Sequence, residues 1–179
     1  MADQVQKLNS MRLLESHDIE YEVFTYDDSI TDGVKAAQAM GLPPSQVYKT
    51  LVVQLKEGEH ALVMIPSDHT LDLKRFARSI GQKRASMPTK RGAEAATGLK
   101  SGGIGALALT HKRWGTYLDK AAEQQETILV NAGQRGVNVE VKVADLVRVL
   151  NAKVVEVAVP MAGSEAPSVE ADEAADSGG

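Results

Sequence analysis

Hydrophobic residues near the start of the chain follow first helical and then strand spacing. Apolar residues recur at three-residue intervals over positions 5–14, which predicts a helix that ends near 16–18. Apolar and polar residues alternate over 19–25, the pattern of a half-buried strand. A short helix is predicted over 33–40, because Gly41 and the two prolines that follow it cannot continue one.

A hairpin and then a more strongly patterned helix are predicted next. Apolar and β-branched runs at 47–55 and 61–65 flank a short polar turn, which predicts two paired strands. Apolar residues at i, i+3, i+4 and i+7 over 73–80 predict a helix. Thr70 is expected to cap its N-terminus, and Gly81 stands just past its end.

Shorter patterns, separated by glycines and polar residues, fill the second half of the chain. They predict a strand at 83–87, a helix at 89–96, strands at 116–118, 127–131 and 137–141, a helix around 146–150 and a strand at 154–159. Strands and helices do not alternate as regular βαβ units. We therefore expect a single α+β (mixed α/β) domain with a mostly antiparallel, curved central sheet flanked by helices. The domain is expected to span 1–159, and the acidic segment 160–179, which lacks bulky apolar side chains, to be a disordered tail.

Composition narrows the class of protein. The chain has 179 residues, enough for one domain with a core of its own. Hydrophobic residues make up 43% of it, yet no apolar run approaches the roughly 18 residues of a membrane-spanning helix. The N-terminus lacks the pattern of a secretory signal, so a soluble, cytoplasmic protein with no membrane partner is expected. The chain has no cysteine, which excludes disulfides, thiolate metal sites and a protein thiol nucleophile.

Charge is unevenly distributed along the chain. The net charge is −4, but residues 74–113 carry 10 Lys or Arg and a single acid, Glu94. A basic segment of this kind can contact the phosphates of RNA. The residues expected to contact RNA include Lys74, Arg75, Arg78, Lys83 and Arg84. A solvated helix face with scattered loop charges is an equally good interpretation of the same pattern.

Lys49 fits its predicted strand least well. Strand alternation puts its ammonium on the face used by Val47 and Leu51. Burying a charge unpaired is costly, so either the strand end opens into a cleft or the side chain reaches solvent along its apolar stem. The residues alone favour solvent and leave both interpretations open. Tyr48 and Thr50 alternate to the opposite face and are assigned to packing.

Glycines at 102, 103 and 105 leave backbone N–H groups unshielded, and such groups can receive an anion or a developing oxyanion. A flexible connection that needs positive φ explains the same residues and is favoured by the pattern alone. The four histidines show no metal-ligand spacing. Ser67, Asp68 and His69 are interpreted as the approach to a helix rather than as a catalytic triad. Neither a metal site nor a protein nucleophile is predicted.

Four short segments, taken in order, carry a family resemblance. They are QVYKTL at 46–51, LDLK at 71–74, Thr97-Gly98 followed by Gly102-Gly103-Ile104, and GQRG at 133–136. Over about residues 5–159 the chain resembles the YbaK/ProX family of aminoacyl-tRNA deacylases. The resemblance implies a free-standing enzyme that cleaves mischarged tRNA, notably cysteine or alanine on proline tRNA. Related domains are inserted in prolyl-tRNA synthetases, so that synthetase is a further implied partner. No DNA partner, metal or cofactor is implied.

The same resemblance suggests roles for individual residues. Lys49 is the implied catalytic contact to the 3′-terminal phosphate of the tRNA. Gly102 and Gly103 belong to the family's glycine-rich segment, whose backbone donors face the ester carbonyl. The implied substrate-binding residues are Tyr21, Ile104, Gly105, Asn131 and Asn138. The nucleophile comes from outside the protein and is the substrate's own thiol, a ribose hydroxyl or water.

The chain departs from the family's cysteine-specific pattern at several pocket positions. Gly105 and Asn131 stand where many relatives carry Ser, Asn138 stands where they carry Asp, and an aromatic residue expected near Asp32 is missing. Cys-tRNA(Pro) is therefore the first expected substrate, and alanine or another small amino acid is the second. The alternative is a non-catalytic module that binds tRNA or a synthetase.

Overall fold

A computed structural model describes residues 6–56 and 58–161. Five helices form: α1 (Asn9–Ser16), α2 (Gly33–Met40), α3 (Leu73–Ser79), α4 (Lys90–Thr97) and α5 (Val143–Leu150). The strands are β1 (Tyr21–Thr25), β2 (Tyr48–Gln54), β3 (His60–Pro66), β4 (His69–Leu71), β5 (Gly115–Asp119), β6 (Thr127–Gln134), β7 (Val137–Lys142), β8 (Lys153–Val155) and β9 (Ala158–Pro160). None of the described helices is long and apolar enough to cross a membrane.

The strands form three hydrogen-bonded sheets within one α+β domain. Strands β1, β7 and β6 make an antiparallel sheet. In the second sheet β2 pairs antiparallel with β3, which pairs parallel with β5, and β5 pairs parallel with β8. Strands β4 and β9 pair antiparallel. A bridge between Val47 and Leu129 joins the first two sheets. The predicted fold class, with mostly antiparallel pairing, is confirmed.

Strand β2 separates two parts of the core. Tyr48 and Val52 face the larger cluster, which also contains Leu118 and Val130. On the other side, Val53 packs in a smaller cluster with Phe76 of α3. This two-sided burial explains the apolar run that predicted the strand.

Three predictions of local structure are wrong. Thr70 does not cap α3 but lies in β4, paired with Val159. The α3 cap is Asp72, whose carboxylate accepts a hydrogen bond from the Arg75 N–H. Residues 83–87 form no strand and contribute one bridge between Ser86 and Gln54.

The third error concerns the end of the domain. The strand predicted at 154–159 is two short strands, β8 and β9, which belong to different sheets. The chain changes sheet at Val157, whose N–H bonds to a carboxylate instead of to a strand. Pro160 belongs to β9, and the predicted tail beyond 161 lies outside the described residues.

That carboxylate belongs to Asp119, which is 4% exposed. One oxygen accepts hydrogen bonds from the Val157 and Ala158 N–H groups at 2.9 and 2.8 Å, and the other accepts one from Ala121 at 2.9 Å. Replacing Asp119 by Ala leaves these donors unpaired and is expected to lower the free energy of unfolding by about 3 kcal/mol. Urea unfolding followed by circular dichroism measures this, with the exposed Glu123→Ala as control. Equal stability of the two variants would contradict the prediction.

Candidate functional site

An open cavity of about 290 Å³ lies beside the unpaired edge of β2. Its walls come from six parts of the chain. They are Val47 with Tyr48 to Val52 of β2, the start of α2 with Thr31 before it, residues between Met87 and Ala93, Ser101, Gly102 and Ile104 of the glycine loop at 101–104, Asn131 and Asn138 of β6 and β7, and Tyr26 after β1. Strands and loops distant in sequence therefore meet at one site.

The edge of β2 presents free backbone groups to this cavity. Gln54 exchanges backbone hydrogen bonds with Ser86, and the Gln46 carbonyl accepts a bond from Leu129, both on the side away from β3. Backbone groups of alternate strand residues point to the same side. The N–H and C=O groups of Thr50 and Val52 therefore face the gap between these two contacts. An extended ligand in this gap can form hydrogen bonds with the backbone of β2.

Lys49 lines the cavity and is half-buried. Burial lowers the pKa of its ammonium below the ordinary value, and the carboxylates of Asp32 and Asp68 partly offset this. Lys49 forms no salt bridge with any described residue. Lys90 is a second cation in the wall, and no Asp or Glu of the described chain lines it. The site therefore favours an anionic group, such as a phosphate.

Three buried side-chain atoms at β2 and β7 have no hydrogen-bond partner among the described residues. They are the Tyr48 hydroxyl, Thr50 Oγ1 and Asn138 Oδ1. A buried polar atom left unpaired costs about 1–3 kcal/mol. Because Thr50 and Asn138 line the cavity, a bound ligand can supply the partners that these two side chains lack. Tyr48 belongs to the core as predicted, whereas the Thr50 side chain is an additional polar group at the site.

The glycine loop faces the cavity with only some of its residues. Gly102 and Ile104 line it, while Gly103 and Gly105 are buried outside its lining. The Gly103 N–H donates to the Lys100 carbonyl at 2.7 Å, and Gly102 has a φ of 87°, which closes a tight turn. The loop residue that can donate its N–H to a ligand is therefore Gly102 rather than Gly103.

Two tyrosines near β1 differ in their placement. The structure does not bring Tyr21 to the cavity, and its hydroxyl donates to Glu15 at 2.6 Å. Tyr26, which sequence analysis missed, lines the cavity. Burial raises the pKa of its phenol, and hydrogen bonding to Asn131 and to the Gly136 backbone partly offsets the rise. Its place immediately after a predicted strand was the available sequence signal.

The basic residues predicted to contact tRNA are all exposed. Lys74, Arg75 and Arg78 lie on α3, and Lys83 and Arg84 follow it. None of the five forms a salt bridge with a described residue. The one acid of the basic segment, Glu94, accepts a hydrogen bond from the Ser101 N–H at 2.7 Å. The cationic side chains are therefore free to meet an anionic partner.

Comparison with known proteins identifies the family. A family model for the aminoacyl-tRNA editing domain matches residues 28–149. The chain belongs to the aminoacyl-tRNA editing family. A protein of Enterococcus faecalis, provisionally named a Cys-tRNA(Pro)/Cys-tRNA(Cys) deacylase, EbsC, is 30% identical over 154 residues, covering 85% of this chain and 93% of that protein.

Two solved structures share the fold of this editing domain. The hypothetical protein APE2540 matches with a TM-score of 0.78 at 19% identity, over 85% of this chain and all of that one. A structure provisionally described as a trans-editing enzyme for prolyl-tRNA synthetase matches with a TM-score of 0.70 at 22% identity, over 85% of this chain and 98% of that one. The expected YbaK-like fold and aminoacyl-tRNA deacylase activity are thereby confirmed.

Proposed function

We propose that this editing deacylase acts in trans on tRNA(Pro) mischarged with a small amino acid, cysteine first and alanine second. The observation that carries the proposal is the juxtaposition of an unpaired Lys49 ammonium and Gly102 in one small cavity. The substrate named for the Enterococcus faecalis relative and the synthetase named for one structural neighbour support proline tRNA. Prolyl-tRNA synthetase is the corresponding protein partner.

The proposed reaction requires few groups from the protein. Lys49 would bind the 3′-terminal phosphate, and the Gly102 N–H would donate to the ester carbonyl as negative charge develops on its oxygen. On cysteinyl-tRNA the substrate thiol, after losing its proton, would attack the carbonyl carbon. The ester C–O bond then breaks, the ribose oxygen leaves and takes up a proton, and a cyclic thioester is released. On alanyl-tRNA, which has no thiol, water would attack the carbonyl carbon with a ribose hydroxyl assisting; the ester C–O bond breaks, the ribose oxygen takes up a proton, and free alanine is released.

The cavity wall also suggests how the acyl group is held. Asn138 Oδ1 is an acceptor without a donor, and the amino group of the substrate is the donor expected to meet it. The Thr50 hydroxyl, in the wall of the same cavity, can donate or accept. Both groups are uncharged, which suits a small neutral amino acid. Both assignments belong to the proposal.

The basic residues of the α3 region complete the proposed tRNA contact. Lys83 and Arg84 line a depression of about 600 Å³ with Lys56. Lys74, Arg75 and Arg78 extend the positive surface along α3. Phosphates of the acceptor stem would follow this surface toward the cavity, giving affinity that falls with salt.

A panel of charged tRNAs tests the proposal. Cys-tRNA(Pro), Ala-tRNA(Pro), Pro-tRNA(Pro) and Cys-tRNA(Cys) are incubated with the purified protein, with and without prolyl-tRNA synthetase, and loss of the ester is followed. Faster loss from Cys-tRNA(Pro) or Ala-tRNA(Pro) than from Pro-tRNA(Pro) is expected. Tight tRNA binding with no deacylation across the panel would instead favour the non-catalytic binding module.

The pKa of Lys49 predicts how binding depends on pH. Only the protonated amine attracts a phosphate, and its pKa in the free protein is lowered from 10.5. Affinity for uncharged tRNA should therefore fall as pH rises, beginning at a lower pH than for an ordinary lysine. Lys49→Arg should not show this fall, because a guanidinium stays protonated. Fluorescence anisotropy measures both proteins, and parallel loss of affinity would contradict the prediction.

A further inference from the structure

The side chain of Asn131 uses most of its hydrogen-bonding capacity within the protein. It is 9% exposed, and its Oδ1 accepts hydrogen bonds from the Gly133 and Gln134 N–H groups at 2.6 and 3.0 Å. Its Nδ2 donates to the Gly102 carbonyl at 3.1 Å. An amide this heavily used has little capacity left for a substrate.

Arg135 makes a matching contact one residue earlier in the glycine loop. Its Nε donates to the Ser101 carbonyl at 2.6 Å. Two consecutive carbonyls, those of Ser101 and Gly102, are thus held by side chains from β6 and from the turn that follows it. The residues that hold them are far away in sequence and lie outside the loop itself.

Peptide geometry links these contacts to the chemistry. In a trans peptide the C=O and the following N–H point in opposite directions within one plane. Holding the Ser101 carbonyl therefore fixes the direction of the Gly102 N–H. Holding the Gly102 carbonyl likewise fixes the Gly103 N–H, which is directed to Lys100. Arg135 therefore holds the peptide that carries the Gly102 N–H, the loop donor proposed for the ester carbonyl, and Asn131 holds the next peptide of the same turn.

We propose that Asn131 and Arg135 are positioning residues that do not touch the substrate: Arg135 orients the Gly102 N–H, and Asn131 holds the turn on its other side. The expected effect on kcat rests on the proposed function. The expected effect on the conformation of the glycine loop does not. Asn131 thus acts through the loop and not by direct contact with the acyl group.

Two substitutions test the proposal. Asn131→Asp keeps the acceptor for Gly133 and Gln134 but replaces the donor to Gly102 with an oxygen, and Arg135→Lys removes the Nε donor. Each should lower kcat by roughly 10–100-fold, as expected when a supporting contact or an oxyanion donor is lost, while KM changes less than about threefold. Hydrogen exchange at 101–105 should become faster in both variants. The matched controls are Arg148→Lys on α5 and Asn151→Asp just after it. They should change neither kcat nor the rate of hydrogen exchange at 101–105.

The outcomes separate the proposal from the proposed function. If no charged tRNA is cleaved even by the unaltered protein, the proposed function fails, and faster exchange in the variants still supports the positioning role. Exchange rates equal to those of the unaltered protein would overturn it, whether or not kcat falls. If Asn131→Asp does not fold, Arg135→Lys decides the outcome by the same two measurements.

Discussion

Replacing Lys49 by Met is expected to lower kcat/KM for deacylation roughly a hundredfold or more. The reason is the loss of a charge-assisted contact in a partly desolvated site, which costs about 2–5 kcal/mol. Met keeps the length and apolar character of the lysine stem, so the packing around this position of β2 is largely preserved. Single-turnover deacylation of the best substrate in the panel measures the loss.

The free energy of unfolding distinguishes a direct loss of activity in Lys49→Met from damage to the fold. Burial disfavours the charged form of Lys49, so removing the charge should leave the free energy of unfolding unchanged or raise it. Lys35→Met on α2, where the lysine is exposed, is the matched control and should keep full activity. Full activity of Lys49→Met would refute the role given to this ammonium.

The spacing of apolar residues was sufficient to predict those elements whose buried residues follow helix or strand periodicity. Helix α3 and the β2–β3 hairpin lie where the sequence predicted them. The helix buries one stripe of its residues, and the strands are buried on both faces. The cap of α3 was misassigned because Thr70 and Asp72 are both good capping residues. Only the pairing of Thr70 with β9, a contact distant in sequence, decides between them.

The candidate site was predictable where a single residue conflicts with its strand. Lys49 shows such a conflict, and the cavity beside it is the cleft that sequence analysis left open. Tyr26 and Thr50 show none, since a tyrosine and a threonine suit a strand or its end. The place of Thr50 follows from how Gln54 meets Ser86 and Val47 meets Leu129, and that of Tyr26 from its backbone bond to Gly136. No local pattern records these contacts.

The glycine loop illustrates a different limit. Its sequence shows where backbone is unshielded, but not which N–H groups are already used. Gly102 and Gly103 are adjacent and alike in composition, yet the Gly103 N–H is bonded within the loop. Neighbouring β6 and its turn determine that difference, through contacts that join residues about thirty positions apart.

A methyl group at Gly105 is expected to be among the most destabilising single changes in this domain. The backbone of Gly105 has an ordinary φ of −138°, so the glycine is not needed for its conformation. A Cβ there would overlap the Asn131 carbonyl oxygen and lie 3.2 Å from the Gly133 nitrogen. Both obstacles are backbone of β6, which cannot move without disturbing its pairing. Gly105→Ala should therefore lower the free energy of unfolding by about 3 kcal/mol.

Gly41→Ala is the informative comparison in urea unfolding. Gly41 has a φ of 74° with open space around it, so the added methyl costs only backbone strain, about 1–2 kcal/mol. A loss for Gly105→Ala no larger than for Gly41→Ala would contradict the steric argument. Because the obstacle is the main chain at 131, shortening the Asn131 side chain should not rescue Gly105→Ser. A serine at 105, as the resemblance to cysteine-specific relatives led us to expect, would meet the same main-chain obstacle.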